Sequence, residues 1–234
     1  MKKIFVIKYN GERQPYDRRK VLSSILHSGV EKTKVFEILK KTEDKLYNNI
    51  PTRELYQIVY SEIENYGLKQ HSRIYRLREA LSRLDSADFE KFVKVFLEKG
   101  GFSCIWNKKI QGFCIDHQVD VIAEKNKEIF FVEVKKHKNF HRDSGLGTVA
   151  ELWARLEDLQ KGFKAGKTKI NIANAWLITN TKFSDYAKRY SKCKGLKLLG
   201  WRYNSSAEGK TKGLEKMIEN LGVGMVAGIV KNLR

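Results

Sequence analysis

Apolar positions change period along the chain. Helical spacing prevails up to about residue 100, and short strand-like runs then alternate with helical stretches. The opening "IFVIKYNGERQPY" reads as a strand, a turn at Asn10-Gly11 and an extended return set by Pro15, which makes a small hairpin. Asp17 is expected to cap a helix carrying Val21, Leu22, Ile25 and Leu26 that ends near Gly29. Val35, Ile38 and Leu39 mark a second helix, and Thr52 is expected to cap a third with Leu55, Ile58, Val59 and Ile63 on one face. A fourth, with Ile74, Leu77, Leu81 and Leu84, runs to about Asp85. The pattern restarts at Ser86, the expected cap of a helix with Phe89, Phe92, Val93, Phe96 and Leu97 on one stripe and Gly100-Gly101 as its stop.

Beyond that stop the expected order is strand (102–107), strand (118–124), strand (128–135), helix (148–161), strand (174–180), helix (184–193) and strand (196–201). Strands interleaved with helices predict a mixed sheet covered by helices, an α/β sandwich. Three segments are therefore expected: a hairpin-and-helix domain over 1–85, the α/β domain over 86–203 and a tail over 204–234. The fold class is α/β in its larger part and α+β overall. "LGVGMVAGIV" in the tail is apolar but too short for a bilayer, and reads as a packing segment or a frayed terminus.

One strand breaks the apolar pattern. In "FFVEVKK" the residues Phe131, Glu133 and Lys135 face one way and Phe130, Val132 and Val134 the other, so one face of a core strand carries charges. "HQVDVIAE" places Asp120 in the same situation, and a turn at Lys125-Asn126-Lys127 pairs the two strands and brings Asp120, Glu133 and Lys135 to one edge. Two close carboxylates repel unless a hard dication lies between them. Such an ion lowers the pKa of a bound water and stabilises charge during in-line attack on a phosphodiester, with Lys135 holding the phosphate or orienting the water. The same spacing also suits a salt bridge on a solvated sheet face.

Charge narrows the partner. A formal net charge of +19 and a pI of about 9.7 favour a polyanion, either nucleic acid or an anionic membrane surface. No apolar run approaches 18 residues and the N-terminus turns polar early, so the expectation is a soluble cytoplasmic protein with no membrane role. Cys104, Cys114 and Cys193 form no C-x-x-C pair and are expected to be buried or idle thiols.

Asp120 followed by Glu133-Val134-Lys135 resembles the D-x12-E-x-K active site of the PD-(D/E)xK nucleases. With "FEKFVKVFLEKGGF", "LWARLEDL" and "NAWLITNTKFSDYAKRY", residues 86–202 resemble the Mrr-type restriction endonuclease domain and archaeal Holliday-junction resolvases. The resemblance implies a restriction-endonuclease-like core, DNA as substrate, and Mg²⁺ or Mn²⁺ held by Asp120, Glu133 and the Val134 carbonyl. It makes Lys135 the catalytic lysine and Glu90 a helical glutamate facing the site. Val119 stands where the superfamily name has proline. His137, Lys138, His141 and Arg142, just beyond the site, suit DNA phosphates; His117 suits a structural or phosphate role, or an approach to the metal.

"GFKAGKT" nearly spells a phosphate loop, but it is one residue short and follows a helix, so Gly162 and Gly166 read as helix-stop and turn residues with Lys164, Lys167 and Lys169 as exposed charge. A better nucleotide candidate lies over residues 3–84, where "VIKYNGERQPYDRRKV" and "IPTRELYQIVY" resemble the ATP-cone. That resemblance implies that Lys8, Arg18, Lys20, Val21 and Thr52 bind ATP or a related nucleotide effector, although Asn10 and Gln14 replace the family's usual acids. The combined expectation is a metal-dependent DNA endonuclease regulated by a nucleotide; the oligomeric state is open, and cutting both strands with one centre per chain favours a homodimer. A non-catalytic, nucleotide-sensing DNA-binding regulator and a junction resolvase are the alternatives.

Overall fold

β1 (Phe5–Ile7) pairs antiparallel with β2 (Arg13–Pro15) and, on its other edge, parallel with β3 (Ile50–Pro51). Gly11 turns the hairpin at φ 80°, a conformation that suits glycine. The computed structural model describes residues 4–8, 11–68, 71–72, 77, 80–139, 142–206 and 213–221. The chain divides into two units, Met1–Leu77 and Arg78–Arg234.

In the first unit α1 (Arg18–His27) starts as expected, with the Asp17 carboxylate accepting the Arg19 N–H at 3.0 Å. α2 (Lys32–Glu43) and α3 (Thr52–Asn65) follow. Thr52 is the first helical residue rather than the cap: Pro51, extended and without an N–H, ends β3 and leads straight into the helix. The predicted apolar stripes, Val21, Ile25, Val35, Ile38, Leu39, Leu55, Val59 and Ile63, form one core with Val6 and Ile50. The helix expected around Ile74 lies partly outside the described residues; residues 71–72, 77 and 80–83 are helical.

In the second unit α4 (Ser86–Lys99) is capped by Asp85, whose carboxylate accepts the Asp88 N–H at 2.7 Å, and not by Ser86, which is already helical. Phe89, Phe92 and Phe96 stack along its buried side. β4 (Ser103–Gln111), β5 (Asp116–Lys125) and β6 (Glu128–Lys135) form an antiparallel meander. The β5–β6 turn is the two-residue Asn126-Lys127, both at positive φ, as a tight primed hairpin requires.

After β7 (Asp143–Ser144), α5 (Leu146–Lys164) crosses over to β8 (Ile172–Thr179), which runs parallel to β6. β9 (Lys182–Phe183), α6 (Asp185–Lys194), β10 (Lys197–Gly200), β11 (Tyr203–Asn204) and α7 (Gly213–Leu221) complete the unit. The six-stranded sheet has the order β11-β10-β8-β6-β5-β4, while β7 and β9 pair separately. This is the mixed α/β core expected. Val149, Leu152, Leu156 and Leu159 of α5 pack with Phe131, Ala175 and Leu177 of the sheet.

Three local expectations are corrected. β4 continues to Gln111 because the edge strand kinks at Asn107, φ 55°, and resumes pairing through a polar stretch that carries no apolar alternation. Gly162 is no helix stop: it is buried inside α5 where the β4–β5 loop crosses, and a Cβ there would lie 2.7 Å from the Gly112 carbonyl carbon. Cys114 and Cys193 are exposed, and Cys104 is half-buried. Among the described residues no helix is long and apolar enough to cross a membrane. The apolar tail segment at 222–230 lies outside the described residues.

Candidate active site

The carboxyl ends of the parallel strands β6 and β8 lie side by side, the position at which α/β sheets open their crevices. The β5–β6 ladder ends at the pair Val121 and Val132, so Asp120 and Glu133 stand just beyond the last paired position. Asp120 fills the gap with its side chain: Oδ2 accepts the Val134 N–H at 2.8 Å. Glu133 keeps its register with Leu177 on β8, while its Oε2 accepts Arg155 Nη1 at 2.5 Å. The second arm of Arg155 donates to the Gln118 carbonyl, and the guanidinium lies 4.8 Å from the Phe131 ring centre. One arginine of α5 thereby ties together β5, β6 and the partly buried acid.

Burial pushes the Asp120 carboxyl above its ordinary range, although the Val134 N–H, Arg155 and Lys135 pull it down. Burial, and then the charge of Asp120, push Glu133 up to about 7 in spite of Arg155. Glu90 on α4 is raised by burial and next by Asp120, and its Oε2 accepts the Trp106 indole N–H at 3.1 Å. Asp120 is thus the common electrostatic neighbour of Glu90 and Glu133. Lys135 ends β6, exposed, opposite Thr179, close enough for its charge to act on Asp120. Among the described residues no group of three or more His, Cys, Asp or Glu side chains is arranged to hold a metal; the acids bonded at the gap between β5 and β6 are Asp120 and Glu133.

The loop after Lys135 is held from β8. The fully buried Asn180 accepts the His137 N–H and donates to the His137 carbonyl, both at 2.8 Å. The His137 ring is 3.0 Å from Ser144 Oγ, and burial, then Arg142 and Lys135, lower its pKa. Lys138 and Arg142 are exposed beside it, and His141 lies outside the described residues. His117 is buried and bonded to Asp158 at 2.8 Å, which gives it a structural role and no place in the acid pair. Burial opposes it, but hydrogen bonds from His117 and from the Cys114 and Ile115 N–H groups hold Asp158 at about 2.

Asp120, Glu133, Lys135 and Glu90 therefore share one electrostatic neighbourhood. Arg155 and Asn180 escape the sequence reading: an arginine between Leu152 and Leu156 looks like the exposed side of a helix, and an asparagine after a strand looks like a turn residue.

Of the nucleotide candidates in the first unit, Ile7 pairs with Pro51, which sets Lys8 beside Thr52 at the start of α3. Arg18 is turned to Glu43, its Nε donating at 3.0 and 3.2 Å, and Tyr16 donates to the same carboxylate, with burial and Glu43 raising its pKa. Lys20 is exposed and Val21 buried.

Residues 81–200 match the restriction endonuclease family Mrr_cat. An uncharacterized protein of Archaeoglobus fulgidus is 36% identical over 128 residues, which are 54% of this chain and 65% of that protein. The crystal structure of AF1548, a protein of unknown function, superimposes with a TM-score of 0.50 at 32% identity and covers 58% of this chain and 66% of that one. The chain thus spans just under two thirds of the length of each of these relatives.

Proposed function

The chain belongs to the Mrr-type restriction endonuclease family through residues 81–200, and we propose on that premise that it hydrolyses DNA phosphodiester bonds with Asp120, Glu133 and Lys135. The observation that carries the reading is the placement of two desolvated carboxylates, each raised in pKa, at the gap between β5 and β6 with a lysine at the strand end. A divalent ion fits this donor set. The bonds to Val134 and Arg155 use one oxygen of each carboxylate, the other oxygen of each is a hard donor, and burial makes the pair costly without added positive charge. Asp120, Glu133 and the Val134 carbonyl would hold Mg²⁺ or Mn²⁺, which when bound supplies an acidified water and polarises the phosphodiester.

The protein's own groups do the rest. Lys135 attracts the scissile phosphate and orients the attacking water, Asn180 fixes the strand exit that presents it, and Lys138 and Arg142 bind flanking phosphates. Supercoiled plasmid incubated with the full chain and Mg²⁺ or Mn²⁺ is expected to become nicked and linear; intact plasmid with both metals would overturn the assignment. Linear, nicked and four-way substrates compared in the same assay separate a general endonuclease from a junction resolvase. The Arg155–Glu133 pair favours a second reading, in which an internal cation already neutralises the acid and the fold serves as a non-catalytic DNA platform. That reading predicts salt-sensitive DNA binding without cleavage.

The first unit is proposed to be ATP-cone-like and to bind ATP or a related nucleotide as an effector, with support from the adjacency of Lys8 and Thr52 at a helix N-terminus. The engagement of Arg18 by Glu43 leaves Lys8 and Lys20 as the phosphate ligands. Calorimetric titration with ATP is expected to show saturable binding that weakens about tenfold or more in Lys8→Ala, the value of one charge-assisted contact. Equal affinity of the two proteins removes Lys8 from the site.

A further inference from the structure

At the tip of the β4–β5 hairpin, three successive backbone N–H groups are spent on one residue of α5. Phe113 N–H donates to the Asp158 carbonyl at 3.0 Å, Cys114 N–H to Oδ1 at 2.8 Å and Ile115 N–H to Oδ2 at 3.4 Å. The His117 ring closes the same carboxylate from below, and Asp158 is itself 13% exposed. The close approach of Gly112 to Gly162 leaves no room for a side chain between loop and helix. The tip is therefore a clamped structure and not a slack loop. Its two large apolar side chains nevertheless point to solvent: Phe113 is 47% exposed and Ile115 63%. Exposing adjacent large apolar groups on a rigid support gives up burial and calls for an occupant.

The surrounding charge identifies the occupant. Lys167 lies 4.8 Å from the Phe113 ring centre and donates to its carbonyl at 2.6 Å, and Lys161 and Lys164 line, with Phe113 and Ile115, a cavity of about 960 Å³. Glu157 is matched by Lys161, Asp116 by Lys109, and Asp158 by the tip itself; Glu151 also lines the cavity, but one helical turn from Arg155 and more than three turns from Lys164, so Lys164 and Lys167 set the sign of the rim at the tip. A second copy docked tip to tip would bring these lysines face to face. A polyanion with an apolar interior, a stacked nucleic acid duplex, meets both halves of the surface. The cavity also reaches Arg155, and so runs to the side chain that grips Glu133.

We infer that the Phe113–Ile115 tip is a wedge that enters the base stack of the DNA substrate at a weakened step, with Lys164 and Lys167 on the flanking phosphates. The inference rests on the nuclease reading and adds a substrate class to it: duplexes whose stacking is already broken, by a bulge or a nick, lose less on insertion. The test is fluorescence anisotropy with the metal-free full chain, an intact duplex, and the same duplex carrying a two-nucleotide bulge. The wild type is expected to prefer the bulged duplex by roughly tenfold, since unstacking costs a few kcal/mol per step.

In Phe113→Ala/Ile115→Ala that preference should vanish, while intact-duplex affinity and its salt slope stay within about threefold, because the phosphate contacts are kept. Both side chains are exposed and the Asp158 clamp uses neither of them, so the variant folds; a circular dichroism melt checks this. Phe113→Leu should retain most of the preference. A wild type without preference, or a double variant that keeps it, overturns the wedge while leaving the nuclease reading standing. A wild type that binds no DNA at any salt overturns both.

Discussion

Asp120→Asn should abolish plasmid cleavage, lowering the rate by about 10³-fold or more, and at the same time raise the melting temperature. The loss follows from removing one of the two anionic donors proposed to hold the dication, an effect worth several kcal/mol in the transition state. The gain in stability follows from geometry. An asparagine oxygen still accepts the Val134 N–H, whereas the charge that raises both Glu90 and Glu133 is gone. Glu133→Gln should match the loss of activity without the gain, because it leaves the Arg155 guanidinium, whose side chain is 17% exposed, without its anion. Lys135→Ala, at an exposed strand end, should lower cleavage and leave the melt unchanged. Opposite stability shifts for two equally inactive acid variants separate a functional site from a salt bridge, which predicts that both lose stability. Cleavage persisting in Asp120→Asn, Glu133→Gln and Lys135→Ala alike removes these residues from the chemistry.

What the amino-acid pattern makes legible, and what it hides, divides on physical lines. Asp120, Glu133 and Lys135 stand out because charge in an apolar strand violates a period-two rule that operates over a few residues. The helices of both units are legible for the same reason, since Val35, Ile38 and Leu39 or Phe89, Phe92 and Phe96 repeat at helical spacing and are all buried. Contacts made across the sequence leave no such local mark. Arg155 reaches Glu133 over 22 positions and Asn180 reaches His137 over 43. Gly162 looks like punctuation because its reason, the passage of Gly112 against α5, is supplied by a loop some fifty residues earlier. The two-residue strands β7 and β9 are set by each other and have no pattern of their own. Their pairing nonetheless carries Ser144 to the His137 ring beside the candidate site.

Metal affinity should rise with pH through neutrality and then level off, and Arg155 should set where it levels. Glu133 is protonated in the folded protein up to about 7, against 4.5 for the free side chain. A raised carboxylate pKa means that the folded state holds its proton more tightly than the unfolded one. Its contribution to folding is complete below about 4.5 and is lost as pH climbs through about 7. Metal binding needs the ionised acid, so each bound ion expels that proton, and Mn²⁺ affinity measured by calorimetry should climb about tenfold per pH unit below neutrality. Arg155 lowers the Glu133 pKa by charge and hydrogen bond. In Arg155→Ala the proton is therefore held to higher pH, and the affinity should be weaker than wild type near pH 6.5. Above about pH 8.5 the order should reverse, because an ion at the other oxygen of Glu133 is then no longer repelled by a guanidinium held on Oε2. Two binding curves that cross identify Arg155 as the cation that occupies Glu133 before the metal does. Curves that stay parallel would show that arginine and metal never compete for the same acid, and an affinity independent of pH would place the ion somewhere other than Glu133.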